Sequence, residues 1–234
     1  MTDLKPTATV AATEKKEWHR GWETIFLFSE AVMIVFWCVG VTFETGLRSH
    51  TSDPKVLAAE NDAAAAYILR YYPMWMDVHV MIFIGFGFLM VFLKTHSWSS
   101  IGFNYIIAAW CLQCGVVFTG FWRKVLEYGF KEKINCALLD LIEADFCAAA
   151  VLITMGALLG KVTFPQMLLL ATFECIFYCL NCVILLELLY VHDIGGGMTI
   201  HMFGAYFGLA ATYFFQPKKA LADVEGRNGG TYNS

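Results

Sequence analysis

Six stretches of largely apolar residues follow one another through this 234-residue chain, at 25–43, 74–93, 101–122, 137–162, 165–190 and 195–215. A helix rises about 1.5 Å per residue, so about 20 residues cross a hydrocarbon layer roughly 30 Å thick. Backbone N–H and C=O groups find no water there, and a helix satisfies them within its own segment. The sequence therefore predicts an all-α, polytopic membrane protein with six transmembrane helices. A composition that is 58% hydrophobic and only 15% charged, with mean hydropathy +0.57, places it outside the range of soluble domains. The first run, at 19 residues, exceeds the apolar core of a signal peptide and lacks a small-residue cleavage pattern, so it reads as an uncleaved span.

The connections divide the chain into a polar tail at 1–21, read as irregular and cytoplasmic, a membrane domain at 22–215 and a polar tail at 216–234. Between the first two spans lies a polar loop whose alanine-rich part, 58–69, suits a short helix outside the bilayer. Residues 94–100 make a tight turn, and Arg123, Lys124, Lys131 and Lys133 populate a charged loop after the third span. Six spans return both termini to one side. That side receives 9 Lys and Arg against 7 on the other, which favours cytoplasmic termini. A net charge of -4 without a long basic run excludes a nucleic-acid face. Most of the eight cysteines sit inside apolar spans, where the side chain behaves as a small hydrophobe. The Cys111/Cys114 pair has no second pair at metal-binding spacing, so neither a metal nor another cofactor is expected.

The polar residues inside the spans carry the functional information, because an ionisable group in hydrocarbon is expensive and faces protein or water when present. Asp140, Glu143 and Asp145 stand near the start of the fourth span, and Glu174 and Glu187 in the fifth. The sixth opens Asp193-Ile194-Gly195-Gly196-Gly197-Met198-Thr199-Ile200-His201. Eight residues from Asp193 place His201 roughly 12 Å deep. Gly197, His201, Gly204 and Gly208 fall at i, i+4, i+7 and i+11, which puts the histidine on a stripe open to close approach and turns its ring toward protein or a pore. A neutral imidazole there keeps one donor and one acceptor. The plainer reading of Asp193 is a helix N-cap. Phe146 lies at a depth similar to that of His201, and its plainer reading is core packing.

The block Asp77-Val78-His79-Val80-Met81-Ile82-Phe83-Ile84-Gly85-Phe86-Gly87-Phe88-Leu89-Met90 closely resembles the second helix of Rh (Rhesus) glycoproteins, within the ammonium transporter superfamily. Ala144-Asp145-Phe146-Cys147, residues 156–162 and residues 193–209 match the same family in the same order. The resemblance implies two inverted halves of five helices, preceded in Rh proteins by one extra helix, with three subunits each holding a pore. The six spans here correspond to the extra helix plus the first five-helix half. By resemblance, Phe146 corresponds to the first-half phenylalanine of the outer gate, His201 to the first of two pore histidines, and Asp193 to a structural aspartate near the pore mouth. The family's substrate is ammonium or ammonia, its setting the lipid bilayer of the plasma membrane, and its partners Rh-type subunits in a homo- or hetero-trimer.

This chain departs from the pattern after Phe215, where relatives continue into a second half carrying the second histidine and second gate phenylalanine. Cys182 also stands where many relatives carry a vestibule glutamate. Two readings follow from the resemblance. One is ammonia or ammonium transport by a truncated channel that does not conduct alone, and the other is a non-conducting subunit that modulates full-length Rh-type channels. Neither is an enzyme. A third reading, haem ligation by intramembrane histidines, requires His79 and His201 at matching depth, which the sequence places apart.

Overall fold

The computed structural model describes residues 8–43, 54–92, 97–129 and 133–215, which form two units, one ending at Val41 and one beginning at Thr42. The first unit is a single helix, α1 (Ala8–Gly40), whose part Gly21–Gly40 is long and apolar enough to cross a membrane. Ile25, Leu27, Phe28, Val32, Ile34 and Val35 are all exposed, and a helix apolar around most of its circumference suits lipid. The expected irregular tail at 1–21 is instead helical from Ala8 onward. Ala, Glu and Lys dominate 11–17 and are strong helix formers, so a helix nucleated in the apolar run extends into them at little cost.

In the second unit, α2 (Pro54–Val80) runs without a break through a π turn (Met81–Gly85) and a further turn (Phe86–Leu89) into a 3-10 end (Met90–Phe92). The alanine-rich stretch at 58–69 is helical as expected, but it is continuous with the second span, with Pro73 inside the helix, and not a separate element. Its apolar portion, Asn61–Phe92, has 32 residues, about 48 Å, so one end projects beyond the hydrocarbon layer. Next come α3 (Ser97–Arg123) with a terminal π turn (Lys124–Tyr128), and a short strand β2 (Ile134–Cys136) that pairs with β1 (Val41–Phe43). The Thr42 hydroxyl donates to the Ile134 carbonyl at 3.3 Å. Then follow α4 (Leu138–Leu158), α5 (Phe164–Cys182) with a π extension (Val183–Leu188), and a π turn (Gly197–Met202) leading into α6 (Phe203–Phe215). Residues 44–53 of the first loop, 94–96 of the turn expected at 94–100, residues 130–132 of the charged loop and the whole tail at 216–234 lie outside the described residues, and 97–100 is not a turn but the start of α3.

Helix α4 is the axis of this unit, packed by α2, α3, α5 and α6. Ala148, Ala149, Ala150, Val151 and Leu152 are buried in succession, so every face of the helix meets protein there. Small residues permit that closeness. A Cβ placed on Gly204 would stand 2.6 Å from the Ala150 carbonyl oxygen, and one on Gly208 would stand 3.2 Å from Thr154 Cα. Between helices with no hydrophobic drive to associate in lipid, such contact and a few polar links supply the attraction. Trp110 Nε1 donates to Thr172 Oγ1 at 2.9 Å and Trp122 Nε1 to the Ile176 carbonyl at 3.0 Å, joining α3 to α5. Asn104 Nδ2 lies 3.2 and 3.3 Å from the carbonyls of Ile82 and Phe83, within the π turn of the second span. Pro165 stands in the first turn of α5, as its fixed φ suits, and Gln166 Oε1 accepts the Thr163 N–H at 2.9 Å.

The protein is an all-α integral membrane protein. Among the described residues, five helices are long and apolar enough to cross a bilayer. The sixth, from Gly197 to Phe215, is diluted by glycines, threonines and His201.

Candidate functional site

A cavity of about 430 Å³ opens between the ends of α4 and α5 and the loop that leads into α6. Phe146 enters its wall from α4, Tyr178 and Cys182 from α5, Glu187 from the π extension, and Asp193, Thr199 and Ile200 from the loop and the following π turn. Phe146 and Asp193, far apart in sequence, therefore meet on one cavity. His201, adjacent to Ile200, is not part of its wall.

The loop is built around Asp193. Its Oδ2 accepts the backbone N–H of Thr199 at 2.8 Å, that of Met198 at 3.0 Å and the Thr199 hydroxyl at 2.9 Å. These are donors that the start of a helix leaves without internal partners, and a carboxylate there also meets the positive end of the helix dipole. The Thr199 N–H, foremost among these bonds, holds the Asp193 carboxyl below the ordinary carboxylate range. The chain can present the donors because Gly195 and Gly196 adopt φ of 79° and 68°. A Cβ on Gly196 would fall 2.3 Å from Ile200 Cδ1, so both handedness and space require glycine.

At the same end, one guanidinium gathers three carboxylates. Arg123 Nε donates to Glu187 Oε1 at 2.6 Å, its Nη1 to Asp140 Oδ1 at 2.7 Å and its Nη2 to Glu143 Oε2 at 2.8 Å. Asp140 Oδ2 also accepts the Ala137 N–H at 2.8 Å, capping α4. With one positive and three negative groups, the cluster retains a formal surplus of negative charge, and Glu143 and Glu187 both border the cavity. Nearby in β2, burial first and then Asp140 push the Cys136 thiol up to about 12.

Deeper in the bundle, His79 Nδ1 on α2 lies 3.1 and 3.2 Å from the two carboxylate oxygens of Asp145, the residue before Phe146. Asp145 is fully buried, while the histidine is a third exposed. The ring is sandwiched between Trp75 and Phe83, at centroid distances of 5.2 and 4.5 Å. On the far side of α4, the Thr154 hydroxyl stands 2.6 Å from Glu174 Oε1 and 3.0 Å from the Gly204 carbonyl oxygen.

His201 corrects the stripe argument. Gly204 and Gly208 are buried against α4, but the histidine and Gly197 are exposed on another face. The reason is local: the His201 N–H reaches back five residues to the Gly196 carbonyl at 3.0 Å. A π turn inserts an extra residue per turn and shifts the register of everything before α6 relative to everything after it. Arg123, expected in a loop, sits at a helix end. The partnerships of His79 with Asp145 and of Thr154 with Glu174 left no trace in the sequence beyond the requirement that buried carboxylates face the bundle.

Comparison with known proteins places this geometry in context. The profile of the Ammonium Transporter Family matches residues 26–233. The chain is 38% identical to ammonium transporter Rh type C of Canis lupus familiaris over 211 residues, covering 89% of this chain and 44% of that protein. It is 40% identical to ammonium transporter Rh type B of Danio rerio over 212 residues, with 90% and 44% covered. A solved structure of Rh50 from Nitrosomonas europaea, described as one of the Rhesus protein family of channels, superposes with TM-score 0.57 at 29% identity over 66% of this chain and 41% of that one. The chain thus spans a little under half the length of these relatives.

Proposed function

The chain belongs to the Ammonium Transporter Family, and from that premise we propose that it forms the first half of an Rh-type path for ammonium and ammonia across the plasma membrane. The observation that carries this reading is the cavity in which Phe146 and the Asp193 loop meet under a surplus of carboxylates. Glu143 and Glu187 raise the local concentration of a small cation. Phe146 then obstructs the hydrated ion, and the deprotonated amine passes toward His201, where a neutral imidazole exchanges hydrogen bonds with it. A bare cation in hydrocarbon has no such low-cost route. The second wall is supplied by further chain or by a partner subunit, in a trimer of Rh-type subunits.

The exposure of His201 favours a second reading for the chain on its own, that of a non-conducting subunit which joins full-length relatives and lowers their activity. Stopped-flow pH measurement in vesicles tests both. The 234-residue chain alone is expected to give ammonia permeability equal to that of protein-free vesicles. A version continued by the second half of an Rh type B relative should raise it, and His201→Ala in that version should alter the rise. No permeability from the continued version would reject the transport reading. Unchanged activity of a full-length relative on co-reconstitution would reject the subunit reading.

A further inference from the structure

We propose that Glu174 is a carboxylic acid in the folded protein, and that its proton fixes the start of the helix that bears His201. Glu174 and Thr154 are both fully buried. Thr154 has one hydroxyl proton and two oxygens within bonding distance, Glu174 Oε1 at 2.6 Å and the Gly204 carbonyl at 3.0 Å. A peptide carbonyl accepts and never donates. If Glu174 were ionised, the hydroxyl proton would turn to the carboxylate, and the Thr154 and Gly204 oxygens would face each other with no hydrogen between them. The other carboxylate oxygen, Oε2, would then be a buried anionic atom without a partner, since it has none among the described residues. Each of those features is costly in a low-dielectric interior.

The carboxylic acid removes both difficulties. Glu174 donates to Thr154, Thr154 donates to Gly204, and the atom left without a partner is the carbonyl oxygen of a neutral acid. The 2.6 Å separation suits either polarity, so the second acceptor decides the matter. No cation among the described residues bonds to Glu174. Among the described residues the Thr154 hydroxyl of α4 bonds to it and the Cys111 thiol of α3 lies near it, and neither neutralises a carboxylate.

The chain of two hydrogen bonds ends one helical turn after His201. Gly204 is pressed against the Ala150 carbonyl, so α6 has little freedom to slide, and the Thr154 link sets its rotation just where the π turn hands over to regular helix. Glu174 is thus a positioning residue for His201. This second part rests on the reading of His201 as a pore-lining group, whereas the protonation does not.

Infrared difference spectra of the 234-residue protein in bilayers decide the first part. A protonated carboxylic C=O band is expected in the wild type at neutral pH, and it should vanish in Glu174→Gln. Loss of carboxylate bands in its place would overturn the proposal. Should Glu174→Gln fail to fold, Thr154→Val leaves the acid in place without its acceptor, and its C=O band should shift; no shift overturns the proposal equally. For the second part, ¹⁵N signals of the His201 ring should be retained in Glu174→Gln, whose amide still donates to Thr154, and displaced in Glu174→Met. Identical signals in all three proteins would overturn the positioning role. None of these measurements uses ammonia, so a failure of the transport reading leaves them decisive.

Discussion

The polar residues of this chain differ in how much of their role is local. Asp193 acts over six residues: it accepts N–H groups at a helix start, as the N-cap reading expects of a carboxylate, but Gly196 holds the cap position and the bonds to Met198 and Thr199 reach farther than a cap's two or three residues. Its carboxyl is held below the ordinary range, so its contribution to folding is complete above the unfolded value of about 3.9 and is lost as pH falls through the lower folded value. Protection of the Met198 and Thr199 amides, as exchange relative to the intrinsic rate at each pH, should therefore hold at neutral pH and fall in acid below about pH 4. Asp193→Asn should remove that acid dependence while leaving one acceptor oxygen in place. Asp145 acts across 66 residues, and its histidine is visible only in three dimensions. Its two oxygens bond to His79 and to no other described residue. His79→Ala should destabilise the protein by about 2–3 kcal/mol in thermal unfolding in detergent, less than the 3–5 kcal/mol of a fully enclosed pair because the ring is partly exposed. Asp145→Asn in that background should recover part of the loss, by removing the unpaired charge.

Between helices, Arg123 is the principal fastening. It joins the end of α3 to the start of α4 through Asp140 and Glu143, and to the π extension of α5 through Glu187. Three carboxylates left together without it would repel, and Arg123→Gln should lower stability by on the order of 2 kcal/mol. Arg123→Lys should recover less than half, since an ammonium cannot reproduce the planar fork. Unfolding midpoints of the three proteins at high and low salt check both claims. The positions of the helices were legible because a bilayer demands about 20 apolar residues per crossing, and composition records that directly. The π turns were not, because a five-residue backbone bond leaves no compositional mark. That one omission moved His201 off the glycine stripe while leaving Gly204 and Gly208 where the 3.6 period put them. The helical start at Ala8 is hidden for a different reason: the stretch carries no amphipathic or apolar pattern, and its propensity alone suffices once a neighbour has nucleated.

At the scale of the whole molecule, α6 has two unlike sides. Gly204, Gly208 and Ala211 lie buried, whereas Tyr206, Leu209, Tyr213 and Phe214 are between 64% and 80% exposed, and His201 is exposed with them. The aromatic and aliphatic groups are content against lipid, but an imidazole is not, because its N–H and lone pair find no partners among acyl chains. The histidine therefore creates a drive for this side to be covered by protein, and the two functional readings differ in what covers it. A spin label on Tyr206→Cys, in a background whose accessible native cysteines are removed, reports the answer through its collisions with oxygen dissolved in the bilayer. In vesicles holding the 234-residue chain alone, the label should be strongly relaxed by oxygen. Co-reconstitution with a full-length Rh type B relative should reduce that relaxation if the chain is a modulating subunit, and should leave it unchanged if the covering wall has to come from continuation of the same chain. A label already shielded in the chain alone would mean that two copies cover each other's α6, and that a path lined by two His201 side chains forms without any second half.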